Sequence, residues 1–325
     1  MKQLIKLLTP HRRALAGLFI LGLLGLLTWA NPADPPARAG DTLADAWRRL
    51  GQAIAPPAYA VAEGRPLGQG SGSGSSGGPV VRTVAQSDST VYAGGAFNTI
   101  GGQSRDNLAA LDAATGSVLP WNPDANGPVH TLVISGSTIY AGGEFTDIGG
   151  QSRLYLAALN AASGSVLPWI PGLSMAGNGG AVLALAAGGS AVYAGGLQLT
   201  GGGNDYFAAL DATTGNLLPW PDANGIVRAL AIRGSTVYAG GEFTAIGGQG
   251  RNNIAALDAA SGSALPWNPN ANGPVRTLAI SGNTLYAGGT FTAIGNPDGL
   301  RWQAAPGLAA FDISTPIYLP LIFKN

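Results

Sequence analysis

One phrase recurs along this chain, and its tyrosines phase it. Tyr92, Tyr140, Tyr193, Tyr238 and Tyr286 fall at intervals of 48, 53, 45 and 48 residues. Close copies run over Val91–Trp121, Ile139–Trp169 and Val237–Trp267, and more divergent ones over Val192–Trp220 and Leu285–Asp312. A period of this size marks a solenoid or a propeller. A unit so short cannot hide its own apolar face and needs siblings to cover it. This requirement limits the fold more than any composition figure does.

The residues inside one period decide between the two architectures. In the unit ending at Trp267, "IVRALAI" (Ile226–Ile232) is a run of β-formers and "RGST" (Arg233–Thr236) is a tight turn. "VYAGGEF" (Val237–Phe243) is a second strand, "TAIGGQGRNN" (Thr244–Asn253) a glycine-rich loop, "IAALDA" (Ile254–Ala259) a third strand, and "SALPW" (Ser263–Trp267) a short fourth. No segment has the length and 3.6-residue period of a helix. The strands are almost continuously apolar, as expected of sheets covered on both faces. The expected fold is all-β: a five-bladed β-propeller of four-stranded antiparallel blades over residues 79–318. Residues 319–325 form a tail. The fifth unit lacks an "LPW" strand, and "PIYLPLIF" (Pro316–Phe323) is the candidate replacement.

Local chemistry supports the units. Asp112 to Gly116, Asp211 to Gly215 and Asp258 to Gly262 read as hairpin turns, in which the carboxylate bonds backbone amides and glycine takes a positive φ; Asn160 replaces the aspartate in the second copy. The "AGG" after each tyrosine leaves room for a bulge or a close backbone approach. Trp121, Trp169, Trp220 and Trp267 are candidates for ligand stacking, with packing between blades the favoured role.

Ahead of the repeats, Lys2, Lys6, Arg12 and Arg13 precede an uncharged stretch, Ala14–Ala30. Residues 1–30 read as a secretory signal, cleaved after Ala30 or Ala39, or as an uncleaved membrane anchor. Both readings export the remainder to the extracellular space or the cell surface, with membrane contact only through residues 14–30 if uncleaved. Residues 31–78 read as a linker. Within it, Leu43, Trp47, Leu50 and Ile54 sit at helical spacing in a short amphipathic segment (41–54), and residues 68–78 are glycine- and serine-rich.

Composition removes several function classes. Formal net charge is zero and lysine occurs only at positions 2, 6 and 324, so there is no basic stripe for nucleic acid. There is no cysteine, so no disulfide, thiolate metal site or cysteine nucleophile exists. His11 lies in the signal, which leaves His130 as the one histidine for a triad, with no Gly-x-Ser-x-Gly elbow before a helix. No HExxH or carboxylate cluster has metal-ligand spacing. "NPDANG" (Asn122–Gly127) lacks the alternating carboxylates and the final glutamate of a calcium loop. Glu144 and Glu242, the glutamates of the repeats, occupy equivalent places in different units, so a facing pair for glycoside cleavage is not expected. No catalytic residue, metal site or cofactor is assigned.

"TLYAGGTFTAIG", "NNIAALDAASGSALPWNPNANGPVRTLAISGNT" and their copies resemble a family of secreted bacterial β-propeller repeats of unknown function, related to delta-sixty-type repeats. The resemblance spans Pro79–Asp312. It implies the fold and says little of function. The "LDAxTGxxxxW" segments are also similar to quinoprotein-type propeller repeats; this chain has fewer repeats and no cysteine pair, which argues against a quinone-dependent dehydrogenase.

Superposing the repeats gives the candidate binding residues. The second position of the first strand reads Arg82, His130, Leu183, Arg228 and Arg276. If that strand is innermost, four potential cations ring one mouth of a central channel and can hold an anionic group. The glycine-rich loops add Arg105, Arg153 and Arg251, with Asp124 and Asp222 nearby. The competing reading is that these arginines form ion pairs within the fold. The third repeat departs from the others, with "PGLSMAGNGG" (Pro171–Gly180) and "LQLTGGGNDY" (Leu197–Tyr206). The expected function is a secreted or surface-displayed, non-catalytic binding scaffold whose partner is a protein or glycan. The alternative is a lectin-like propeller with one sugar pocket per blade. A hydrolase or quinone-dependent enzyme is a third reading without supporting residues.

Overall fold

The computed structural model describes residues 80–173, 180–197, 206–295 and 302–314. The chain divides into two compact units, Met1–Ser73 and Gly74–Asn325, and every described residue lies in the second. The expected signal or anchor, the segment 41–54, the glycine-serine stretch and "PIYLPLIF" lie outside the described residues, as do most of the two atypical segments of the third repeat. Among the described residues there is no helix.

The repeats form small antiparallel sheets in a β-propeller-like arrangement. Five main sheets follow one another along the sequence. Sheet one is Val80–Ser87, Thr90–Ala96 and Leu108–Asp112. Sheet two is Val129–Ser135, Thr138–Gly143 and Leu156–Asn160. Sheet three is Ala181–Gly188, Ala191–Leu197 and Phe207–Asp211. Sheet four is Ile226–Arg233, Thr236–Glu242 and Ile254–Asp258. Sheet five is Val275–Ser281, Thr284–Gly289 and Leu308–Asp312, with Trp302–Ala305 added on its outer edge.

Each sheet begins as a hairpin with a two-residue turn. The first turn residue is Asp88, Gly136, Gly189, Gly234 or Gly282, at φ between 49° and 61°. Positive φ there is the type II′ geometry whose twist matches paired strands. In sheets one, two and four the third strand follows a smaller hairpin, such as Thr99–Ile100 with Gln103–Ser104.

The expected fourth strand is reduced to a single bridge. Leu111 bridges Val118, Leu159 bridges Val166, Leu210 bridges Leu217 and Leu257 bridges Ala264. In sheet one the Leu119 amide donates to the Ala110 carbonyl at 2.8 Å, and the next residue is Pro120. Proline has no amide to donate, so the ladder stops there. Four of the main sheets are therefore three-stranded, not four-stranded. Sheet five reaches four strands differently: Trp302 pairs with Phe311 and Ala305 with Leu308, so a segment preceding the third strand takes its free edge.

The apolar core lies between consecutive sheets. Separate clusters centre on Ile139 and Leu108 between sheets one and two, on Val182 and Leu156 between two and three, on Val227 and Phe207 between three and four, and on Val275 and Ile254 between four and five. The tyrosines of the first three sheets reach across to the next sheet. The Tyr92, Tyr140 and Tyr193 hydroxyls donate to the carbonyls of Ala161, Ala212 and Ala259 at 2.9, 3.2 and 2.8 Å. Burial raises the pKa of all three phenols.

Candidate functional site

The first strand of every sheet carries a β-bulge. Its register slips between Val81 and Thr83, Val129 and Thr131, Val182 and Ala184, Val227 and Ala229, and Val275 and Thr277. The residues skipped are Arg82, His130, Leu183, Arg228 and Arg276, the row that superposition of the repeats singles out. A bulge leaves its extra residue unpaired and re-aims the side chain. Opposite it stands the second glycine of "AGG". A Cβ on Gly95, Gly143, Gly196, Gly241 or Gly289 would lie 1.9–2.1 Å from the carbonyl oxygen of the residue that begins the first strand or just precedes it, so only glycine fits.

Each bulge residue has a cross-hairpin counterpart just after those glycines, and the pair differs from sheet to sheet. In sheet two the largely covered His130 contacts Glu144, Nε2 to Oε1 at 2.8 Å. Arg82 of sheet one reaches its Nδ1 at 3.3 Å. These contacts are all satisfied when Nε2 carries the proton and Nδ1 accepts from the guanidinium. In sheet four Arg228 Nε donates to Glu242 Oε1 at 2.6 Å. Sheet three has Leu183 and Leu197 at these places. Sheets one and five have an arginine opposite Ala96 and Thr290. Arg82 and Arg276 are exposed, and neither has a carboxylate partner among the described residues. Arg228 thus meets a carboxylate inside its own hairpin, His130 bridges Glu144 to Arg82 as a neutral imidazole, and Arg82 and Arg276 touch no carboxylate directly among the described residues.

The loop arginines turn inward. Arg105, Arg153 and Arg251 are partly buried. Their Nη2 atoms donate to the carbonyls of Leu119, Leu167 and Leu265 at 2.8, 3.4 and 2.8 Å, and their Nη1 atoms to the preceding carbonyl. Each ties the glycine-rich hairpin to the "LPW" segment of its own repeat. Desolvation lowers the Arg251 pKa. Sequence reading grouped these arginines with the bulge row because their loops were expected to reach the same face; each instead holds the carbonyl of the leucine 14 residues on.

The tryptophans are also occupied. Trp121, Trp169 and Trp267 are buried, and each stacks edge-on to its own sheet's tyrosine with centroids 5.1–5.5 Å apart. Trp121 and Trp169 donate Nε1 to the carbonyls of Asn160 and Asp211 in the next sheet. Trp220 packs between Tyr193 and Phe207. Beside the first of these pairs a depression of about 340 Å³ is lined by Thr90, Tyr92, Pro120, Trp121 and Ser163, among others.

The "NPDANG" loops hold structure through a residue that sequence reading passed over. Asn126 Oδ1 accepts the amides of Thr146 and Asp147, and Asn224 and Asn272 accept the matching pairs in their units, all at 2.8–3.0 Å. No cluster of His, Asp and Glu able to hold a metal occurs among the described residues.

With this geometry in place, the chain can be set beside known proteins. Residues 156–304 match a family model described as outer membrane protein assembly factor BamB. Residues 86–118 and 138–166 match a β-propeller domain of unknown function. The repeats are thus similar to a propeller repeat family without an assigned activity. No curated protein matches. Among solved structures, the computationally designed Ika8 protein is 18% identical over 72% of this chain and 71% of its own, with a TM-score of 0.45. The designed Ika4 protein is 20% identical over 59% of this chain and 99% of its own, at 0.38. The extracellular domain of a putative one-component system from B. thetaiotaomicron is 14% identical over 71% of this chain and 27% of its own, at 0.41.

Proposed function

We propose that this chain is an exported, non-catalytic binding scaffold whose sheets act as the five blades of a propeller. Its bulge row presents cationic side chains to an anionic group on a partner protein or glycan. One observation carries the reading: Arg82 and Arg276 are exposed guanidinium groups with no direct carboxylate contact among the described residues, whereas Arg228 and His130 each meet a glutamate. The loop arginines and tryptophans are engaged in packing, so the bulge row holds the variable polar chemistry. The basic N-terminal residues and the apolar run after them support export.

The test is titration of the full chain, in mild detergent, with a sulfated glycan and its unsulfated counterpart. Saturable binding of the sulfated form alone is expected, weakened about tenfold or more in R82A/R276A, equivalent to about 1.4 kcal/mol. Equal binding by wild type and variant would sink the reading. The depression beside Tyr92 and Trp121 gives a lectin-like alternative its one foothold. Saturable quenching of tryptophan fluorescence by a neutral sugar would favour that alternative.

A further inference from the structure

The series of sheets has two unlike ends, and both expose apolar faces that are buried everywhere else. At each internal interface the valine before a bulge seats against the first "AGG" glycine of the preceding sheet. Val129, Val182, Val227 and Val275 are all 0% exposed. The equivalent Val81 of sheet one is 48% exposed, with Val80 and Val84 open beside it. On the receiving side, a Cβ on Gly94, Gly142, Gly195 or Gly240 would strike the next sheet's valine at 2.4–2.8 Å. A Cβ on Gly288 meets Thr277 and, at 3.9 Å, the Gly307 carbonyl, and no valine. Tyr92, Tyr140, Tyr193 and Tyr238 are at most 4% exposed, and Tyr286 is 43% exposed. Leu108, Leu156, Phe207 and Ile254 start buried third strands; Leu308, their counterpart, is exposed. Among the described residues no core cluster joins sheet five to sheet one.

We propose that these two faces form one interface: sheet five of one molecule receives sheet one of a second copy, head to tail. The repeat supplies the argument. Sheet five keeps the glycine, tyrosine and third-strand apolar residue that its predecessors use to hold a following sheet. Sheet one keeps the valine that every following sheet inserts. The contact continues an interface the molecule already makes four times, from residues it already has. Its two surfaces differ, so it is heterologous and builds chains or rings of molecules, not a two-fold dimer. With no covalent link across it, this contact sets its own crossing angle.

Charge adds a signature. Within the molecule Arg82 contacts His130 of the next sheet, so the same relation at the intermolecular seam brings the second copy's Arg82 towards Arg276. Two exposed guanidinium groups without direct carboxylate contacts repel, and salt screens them. Association therefore strengthens as ionic strength rises, or when a multivalent anion is added.

The test is sedimentation velocity on the full chain in mild detergent, comparing wild type, V81R, Y286R and an equimolar mixture of the two variants. Both substitutions fall on exposed side chains, so both variants fold. Wild type is expected to self-associate with concentration. Each variant alone loses at least about tenfold in affinity. The mixture forms a heterodimer and stops, because V81R retains a receiving face and Y286R an inserting one. A monomeric wild type at all concentrations overturns the proposal, including the case in which the chain closes on itself or covers the seam with its own termini. Association undiminished in either single variant, as contact through residues 14–30 would give, overturns it too. Failure here leaves anion binding at the bulge row untouched, because R82A/R276A reads that separately.

Discussion

Replacing Gly142 with alanine tests whether consecutive sheets meet face to face. Gly142 does not have a positive φ, so alanine adopts its backbone without strain. The added Cβ lies 2.4 Å from Val182 Cγ1 and 2.8 Å from Thr131 Cγ2. Carbon atoms rest at about 3.5–4.0 Å, so Val182, fully buried, must recede by about 1 Å. Overpacking of this kind costs about 1–3 kcal/mol. Alanine offsets part of that, about 0.4–1 kcal/mol, by restricting the unfolded chain. The net expectation is a loss of about 1–2 kcal/mol. Gly288→Ala is the control: it has the same backbone benefit and a similar threonine contact, and it lacks a valine from a following sheet. The assay is urea unfolding at low protein concentration, where contact between molecules is dissociated, with the midpoint falling at constant slope. Adding Val182→Ala removes the clashing methyl, so G142A in that background costs less than in wild type, close to G288A, because the Thr131 contact remains. The reasoning is refuted if G142A and G288A lower the midpoint equally, or if G142A and V182A add to within about 0.5 kcal/mol.

Two further outcomes follow from the hydrogen bonding. The Asp112 carboxylate is held below its usual pKa first by the Thr115 hydroxyl, Asp211 by the Thr214 amide, and Asp312 by the Ser314 hydroxyl. A depressed carboxylate contributes stability above its unfolded pKa, near 4, and loses it as pH falls through the folded value. D112N/D211N, copying Asn160, which already makes the same turn, is expected to show a shallower fall of melting temperature from about pH 5 downwards than wild type. Arg251→Met, which breaks the bonds to Leu265 and Gly250, is expected to cost about 1–2 kcal/mol in urea unfolding, and exposed Arg276→Met under about 0.5. Equal costs would mean that the loop arginines are not structural.

The period was enough to foresee an all-β repeat fold, because turn chemistry and strand propensity act over a few residues. The turn aspartate or asparagine and the glycine pair are written into each copy, and the Tyr–Trp pairing into the first four; all act within or next to their copy. The expectation of a fourth strand failed for an equally local reason: the proline of "LPW" ends the ladder after one bridge, and spacing alone weighs the segment's apolar residues without its missing amide.

The bulge row was visible as a column of aligned residues, but its chemistry was not. Sequence could not show that His130 and Arg228 meet Glu144 and Glu242 across a hairpin while Arg82 and Arg276 meet no carboxylate among the described residues. Nor could it show that Arg105, Arg153 and Arg251 bend back onto backbone carbonyls. Those outcomes depend on which side chain a bulge re-aims and which carbonyl lies within reach, both properties of packed neighbours. The open ends are decided at the same level. Val81 and Val129 are the same residue in the same motif; one is bare and the other buried because burial belongs to the sheet that stands opposite.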